Sequence, residues 1–165
     1  MEKLGKLNLK EKIGYGVGDT ASCLYFQTFS MFLMYFYTDT FGISAAAVGT
    51  MFLVTRIWDT ANDPIMGMIT DRTNTKYGKF RPWILWMIIP YVITGIALFY
   101  TPNLSMTGKL IYAYITYTLV TMVYTAINIP YGALLGVMSS NPDQRTQLSS
   151  FRFLGAFTGL SLIHI

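Results

Sequence analysis

Between Arg81 and Lys109, and again between Lys109 and Asp143, the chain contains no Asp, Glu, Lys or Arg. Each gap exceeds the roughly 20 apolar residues that carry a helix across a bilayer. A soluble core helix has no need of such length, so both segments predict transmembrane helices. Two more apolar stretches, about Ile13–Tyr37 and about Ala45–Ile69, are long enough to span although charged residues lie within them, and a fifth begins near Gln147. The chain therefore reads as an all-α membrane protein with about five transmembrane helices. Its hydropathy is moderated by abundant Tyr, Thr and Gly, residue types found where membrane helices pack closely or line a cavity.

The first stretch follows a charged segment, is too long for a signal-peptide core and lacks a small-residue cleavage site, so it should remain as helix 1. Residues 1–12 then form a cytoplasmic N-terminus and residues 13–159 hold helices 1 to 5. Lys3, Lys6, Lys10 and Lys12 precede helix 1, Arg72, Lys76, Lys79 and Arg81 fall between helices 2 and 3, and Arg145 lies between helices 4 and 5. The opposite side has only Lys109, which places the N-terminus and the 2-3 and 4-5 loops in the cytoplasm. The net charge of +4 thus reports topology. Basic residues split among three loops do not make a nucleic-acid surface. Cys23, the single cysteine, excludes an intrachain disulfide and reads as a small packing residue. No nucleophile, metal-ligand cluster or nucleotide motif points to an enzyme, and no cofactor is expected. The last six residues, Leu160 to Ile165, match the translation of a transposase adapter used in library preparation. They are expected to be an adapter-derived end, and His164, the only histidine, is not expected to relay protons.

A charged group at the bilayer centre costs about 2.5–3.5 kcal/mol on insertion scales, so each needs a partner or a purpose. Five sit within the spans: Asp19 on helix 1, Arg56, Asp59 and Asp63 on helix 2, and Arg152 on helix 5. Spacings of three and four put Arg56, Asp59 and Asp63 on one face, which is not expected to face lipid. At about 1.5 Å per residue, Asp19, Asp63, Asp59, Asn128 and Arg152 all come roughly 9–16 Å from the cytoplasmic ends of their spans. They are compatible with one layer. Two carboxylates one turn apart repel in low dielectric, so either one takes a proton or a cation lies between them. Asp59 and Asp63, with Asn62, Thr125 and backbone carbonyls, offer the oxygen ligands that a hard monovalent cation such as Na+ requires. The competing reading is a static ion-pair network, for example Arg56 with Asp59 and Arg152 with Asp19. Pro64 and Pro130 each free a carbonyl in the preceding turn, which either serves a polar cavity or merely accompanies a kink. Tyr25, Phe26, Tyr124 and Tyr131 offer aromatic faces and hydroxyls suited to a sugar, or simply pack. Asp39 reads as a solvated residue at the outer end of helix 1.

Three segments carry a family resemblance: Gly14-Tyr-Gly-Val-Gly-Asp19 with Met34-Tyr-Phe-Tyr-Thr-Asp39; Arg56-Ile-Trp-Asp-Thr-Ala-Asn-Asp-Pro64 continuing into Gly67-Met-Ile-Thr-Asp-Arg72 and Gly78-Lys-Phe-Arg-Pro82; and Asn128-Ile-Pro-Tyr-Gly132. Together they resemble the glycoside-pentoside-hexuronide:cation symporter family, the melibiose-permease-like branch of the major facilitator superfamily. The resemblance implies a truncated twelve-helix fold, with helices 1 to 5 of the N-terminal six-helix half present and a C-terminal half missing. It implies a multi-pass protein of the bacterial inner membrane that couples a sugar to Na+, H+ or Li+. Asp59 and Asp63 match the family's cation carboxylates, with Asn62 and Thr125 near them. Asp19 and Arg152 match sugar-contacting positions, Asn128, Tyr131 and Tyr25 are further substrate candidates, and Arg56 matches an arginine linked to the polar cluster. Asp71 and Arg72 resemble a superfamily latch between helix ends, while the neighbouring basic residues serve equally as a topological signal.

Gly18 stands where melibiose-type members have lysine, Asn128 where they have an acid and Gly132 where they have tryptophan, which argues against melibiose. Loss of an acid at residue 128 lowers repulsion toward an anionic sugar such as a uronide or a sulfonated sugar. The partners implied are a small-molecule sugar, the lipid bilayer and the remaining half of the protein. Two other readings stay open: a superfamily relative that moves a lipid or other amphiphile, and a membrane structural or assembly protein whose ion pairs only hold helices together.

Overall fold

The computed structural model describes residues 7–164; Lys3 and Lys6 of the expected basic N-terminus, and Ile165 of the adapter-like end, lie outside the described residues. Five α-helices follow one another there: α1 (Leu9–Tyr35), α2 (Ala45–Arg72), α3 (Arg81–Leu98), α4 (Met106–Met138) and α5 (Pro142–His164), with a π-helical turn Phe36–Thr40 closing α1. Every predicted span holds a helix. Only α3 and α4 are long and apolar enough by hydropathy to cross a membrane among the described residues.

Helix ends follow local chemistry more closely than apolar boundaries do. α1 starts at Leu9, inside the charged segment, because Asn8 and Glu11 form a capping box: the Glu11 carboxylate accepts from the Asn8 amide at 2.8 Å, and Asn8 Oδ1 accepts from Lys10 N at 3.5 Å. Residues 9–12, within the segment expected as the N-terminus ahead of helix 1, form the first turn of α1. Ser44 caps α2 by accepting from Ala47 N at 3.4 Å. Asn141 accepts from Asp143 N at 2.8 Å, and Pro142 fills the first turn of α5, so this helix begins before the apolar stretch does. The charge-free run after Arg81 overstates α3, because Pro102 and Asn103 break the chain between Leu98 and Met106. Within the spans, hydroxyls donate back to carbonyls one turn earlier: Thr55 to Met51, Thr94 to Pro90 and Thr116 to Tyr112, each at 2.8 Å.

The described chain divides into two compact units, one of residues up to Met31 and from Ala133 onward, the other of residues Phe32–Gly132. In the first, α1 and α5 cross with bare backbones in contact. A Cβ on Gly155 would overlap the Gly16 carbonyl, and one on Gly16 would lie 2.6 Å from the Phe151 carbonyl oxygen. Lipid provides no hydrophobic drive between helices, so this close approach, with its dispersion and hydrogen bonding, holds the pair. The Thr20 hydroxyl donates across it to the Gly155 carbonyl at 2.8 Å. Arg145, read from sequence only as a topological charge, donates to the Ser139 carbonyl at 2.7 Å and the Gly136 carbonyl at 3.0 Å. It thereby caps the C-terminal end of α4.

In the second unit Leu33, Tyr37, Phe41, Val48, Met51, Leu98 and Val120 are buried. Phe41 closes the π-helical turn through its amide to the Phe36 carbonyl at 2.9 Å. Gly42 then turns the chain at a φ of 78°, a left-handed conformation suited to glycine. Lys109 donates to the Phe41 carbonyl at 2.9 Å and lies over the Phe41 ring, 5.1 Å from its centroid. The Tyr112 hydroxyl donates to the Ala97 carbonyl at 2.6 Å, satisfying the last turn of α3.

The α1–α5 crossing generates a direct prediction. Gly155→Ala places a methyl group against backbone that cannot rotate away, and overpacking of this kind destabilises by about 3 kcal/mol. Thermal denaturation of the purified full-length protein in detergent should show a lowered transition for Gly155→Ala and little change for Gly14→Ala, where a Cβ meets nothing within 4 Å.

Candidate functional site

On α2, Phe52, Arg56, Asp59 and Asp63 recur at spacings of four, three and four. On α4, Tyr117, Thr121, Thr125 and Asn128 recur at four, four and three. Both sets are helical stripes, and contacts between them set the register of the two helices. The rings of Phe52 and Tyr117 meet with centroids 5.0 Å apart. About two to three turns further along, the Thr125 hydroxyl donates to Asp63 Oδ1 at 3.1 Å. Thr121 lies between these contacts, its side chain within hydrogen-bonding reach of the Asp59 carboxylate.

Asp59, Asn62 and Asp63 are half-buried, whereas Arg56 is exposed. Arg56, exposed, lies near enough for its charge to act on Asp59 and on Tyr117. Asp59 Oδ1 is fully buried and has no hydrogen-bond partner among the described residues. A buried carboxylate oxygen without a donor is costly. A cation bound there would satisfy it, and the adjacent carboxylate, amide and hydroxyl oxygens match the donor set of a hard monovalent ion. The residues present therefore fit the expected ligand. Pro64, inside α2, lacks an amide and leaves the Thr60 carbonyl without its helical donor.

The substrate candidates Asp19 and Arg152 belong to the other unit. Asp19 is buried at 7% exposure, and Arg152 Nε donates to its Oδ1 at 3.2 Å. The Arg152 guanidinium also hydrogen-bonds Tyr15, a buried residue one turn before Asp19. This pair sits one turn from the Gly16–Gly155 crossing, so the bare-backbone approach of α1 and α5 brings the two side chains into reach. Tyr25, half-buried, packs edge-on against Phe29 with centroids 4.3 Å apart. Tyr131 is buried, Asn128 half-buried, and Pro130 beside them is buried within α4. Asp71 and Arg72 are exposed at the last turn of α2, and Asp39 is exposed in the π-helical turn.

Thus Asp63 joins Thr125 and Asp19 joins Arg152, Asn62, Asn128, Tyr25, Tyr131 and Arg56 are placed on their expected helices, and Asp71 and Arg72, expected in the loop between helices 2 and 3, lie in the last turn of α2. Two participants escaped the sequence reading. Thr121 is signalled by its four-residue spacing from Thr125, the same spacing that separates Asp59 from Asp63. Tyr15 is signalled by its four-residue spacing from Asp19.

Residues 14–165 match the family described as MFS/sugar transport protein. The chain belongs to that family. It is 54% identical over 153 residues to Inner membrane symporter YicJ of Escherichia coli (strain K12), covering 93% of this chain and 33% of that protein. It is 50% identical over 158 residues to Uncharacterized symporter YnaJ of Bacillus subtilis (strain 168), covering 96% of this chain and 34% of that protein. Isoprimeverose transporter of Lactiplantibacillus pentosus is 43% identical over 153 residues, covering 93% of this chain and 32% of that protein. The chain spans about a third of the length of these relatives. As a member of the family it is an all-α part of a major facilitator fold, and the family is one of membrane transporters.

The Asp19–Arg152 pair carries a prediction that separates pairing from mere presence. Asp19→Asn leaves a part-buried guanidinium without its counter-charge and should destabilise the full-length protein by about 1–3 kcal/mol. Asp19→Asn combined with Arg152→Gln should recover part of that loss in thermal denaturation.

Proposed function

We propose that the protein to which this chain belongs is a secondary active symporter that moves a glycoside, pentoside or hexuronide-type sugar together with Na+, Li+ or H+. The observation that carries this reading is the orphaned Asp59 oxygen one turn from an Asp63 carboxylate already engaged by Thr125. A scaffold does not require a buried carboxylate oxygen with no donor, whereas a reversible cation site does. Symport in the names of YicJ and YnaJ, and a sugar in the name of the isoprimeverose transporter, support the same reading.

In this reading Asp59, Asp63, Asn62 and Thr125 hold the cation. Asp19 and Arg152 hold sugar hydroxyls, Asn128, Tyr131 and Tyr25 are further substrate-binding residues, and the C-terminal half of the protein supplies the rest of the site. Arg56 tunes the charge of the cation face, and Asp71 with Arg72 latches helix ends as the halves rock. The Asp19–Arg152 pair also explains how a sugar is selected: a carboxylate accepts from hydroxyls and a guanidinium donates to them, so a polyol can replace the contact each group makes with the other. Cation binding removes negative charge from α2, and each ligand then raises the affinity for the other by the same factor. The protein resides in the bacterial inner membrane, crosses it several times and keeps its N-terminus in the cytoplasm, as the distribution of Lys and Arg supports.

The test uses uptake by cells or vesicles containing the full-length protein. Asp59→Asn and Asp63→Asn should each reduce cation-driven accumulation of a radiolabelled glycoside by at least about a hundredfold, with normal amounts of protein in the membrane. Uphill accumulation retained by both variants would overturn the proposal.

A further inference from the structure

From the last turn of α2 to the first residue of α3 the chain carries Arg72, Lys76, Lys79 and Arg81 against one carboxylate, Asp71. All four basic side chains are exposed, and among the described residues none of them enters a salt bridge. As a topological signal they would need nothing beyond charge. The segment is nevertheless built. The Thr75 hydroxyl donates to the Gly78 carbonyl at 2.8 Å and accepts from the Tyr77 amide at 3.2 Å. The Gly78 amide donates back to the Thr75 carbonyl at 3.0 Å, and Gly78 takes a φ of 93°, where glycine is favoured. Trp83 Nε1, in the first turn of α3, donates to Thr73 Oγ1 at 2.9 Å, while Phe80 and Pro82 are buried. Lys76 lies within this closed turn and Lys79 directly after it. The Lys76 ammonium rests over the Tyr77 ring, 4.9 Å from its centroid, an attraction that orders the side chain and leaves its charge intact.

Arg81 opens α3, and the exposed apolar residues Leu85, Ile89, Val92 and Ile96 follow it at spacings of four, four, three and four. They form one helical face. From Arg81 to Val92 that face runs about 16 Å, close to the roughly 15 Å of hydrocarbon in one leaflet. A ligand that matches the whole surface has an anionic head and an apolar tail of one leaflet's depth. Phosphate suits the head, because a guanidinium offers it paired donors and an ammonium a mobile charge. We infer that the turn 75–78, with Lys76, Lys79 and Arg81, binds the headgroup of an anionic glycerophospholipid of the cytoplasmic leaflet, an acyl chain of which lies along the 85–96 face of α3. A basic cluster at the cytoplasmic end of a span is the charge pattern that such lipids recognise. The leaflet rests on the reading that puts this segment in the cytoplasm; the headgroup contact does not.

Native mass spectrometry of the purified full-length protein in detergent gives the affinity for the first lipid bound, with phosphatidylglycerol and phosphatidylcholine of identical chains as probes. The wild type should prefer phosphatidylglycerol about tenfold or more. Lys76→Gln with Lys79→Gln should remove most of that preference while the thermal transition stays near that of the wild type. Lys76→Arg with Lys79→Arg should retain it. Thr75→Val keeps every charge but opens the turn, and should weaken phosphatidylglycerol binding several-fold. If the glutamine pair does not accumulate, Lys79→Gln against Lys79→Arg provides the same comparison. Equal affinity of the wild type for the two lipids, or unchanged phosphatidylglycerol affinity in the glutamine or the Thr75→Val variant, would overturn the inference. Displacement of the lipid by glycerol 3-phosphate, which has the head without the chains, would overturn it in favour of a soluble anion. Labelling of Asn74→Cys, on a cysteine-free background, by an impermeant maleimide added outside intact spheroplasts would overturn the cytoplasmic placement and the leaflet, leaving the headgroup contact measured in detergent standing.

Discussion

Where α1 and α5 cross, no side chain separates their backbones, and much of the first unit depends on that approach. With Gly155 against the Gly16 carbonyl, the Thr20 hydroxyl spans the gap and Asp19 and Arg152 meet one turn away. A leucine at either glycine would move the helices apart by the width of a side chain, and a 3.2 Å ion pair has no slack to absorb that. In water such a crossing would be one contribution among many, because apolar side chains associate readily. In lipid, packing and interhelical hydrogen bonds carry the association, so the glycines and Thr20 do work that leucines perform elsewhere.

The second unit uses another means to the same end. Its α2–α4 contact is anchored by an aromatic pair, Phe52 with Tyr117, and by a polar pair, Asp63 with Thr125. Apolar contact supplies proximity without choosing a register, whereas the hydrogen bond chooses one. Once Asp63 is set against Thr125, helical periodicity brings Thr121 to the level of Asp59. The geometry that orders the fold therefore also composes the candidate site.

Much of this was legible in the sequence because charge inside a membrane span is so constrained. The absence of charge between Arg81 and Lys109 identified a span, and the presence of Asp19, Asp59, Asp63 and Arg152 within spans identified the polar residues needing partners. Thr125 was named because the family resemblance puts it near the cation carboxylates. Thr121 and Tyr15 were not, since threonine and tyrosine occur throughout these helices and neither carries a charge to single it out. The register that gives them meaning is a tertiary property. Helix ends were legible where a side chain caps them, as Asn8 and Glu11 do, and misplaced where the apolar boundary alone was followed.

The backward hydrogen bonds of Thr55, Thr94 and Thr116 bear on how such chains enter the bilayer. Transfer scales charge a hydroxyl for the water it leaves behind, yet each of these hydroxyls already has its donor satisfied within its own helix before any neighbour arrives. The insertion cost of a threonine-rich segment is thus lower than its composition implies. A helix of this kind can be committed to the membrane early and still retain oxygen lone pairs to offer later. Helices that look too polar to span are, on this account, carrying a store of ligand atoms across the hydrocarbon at little cost.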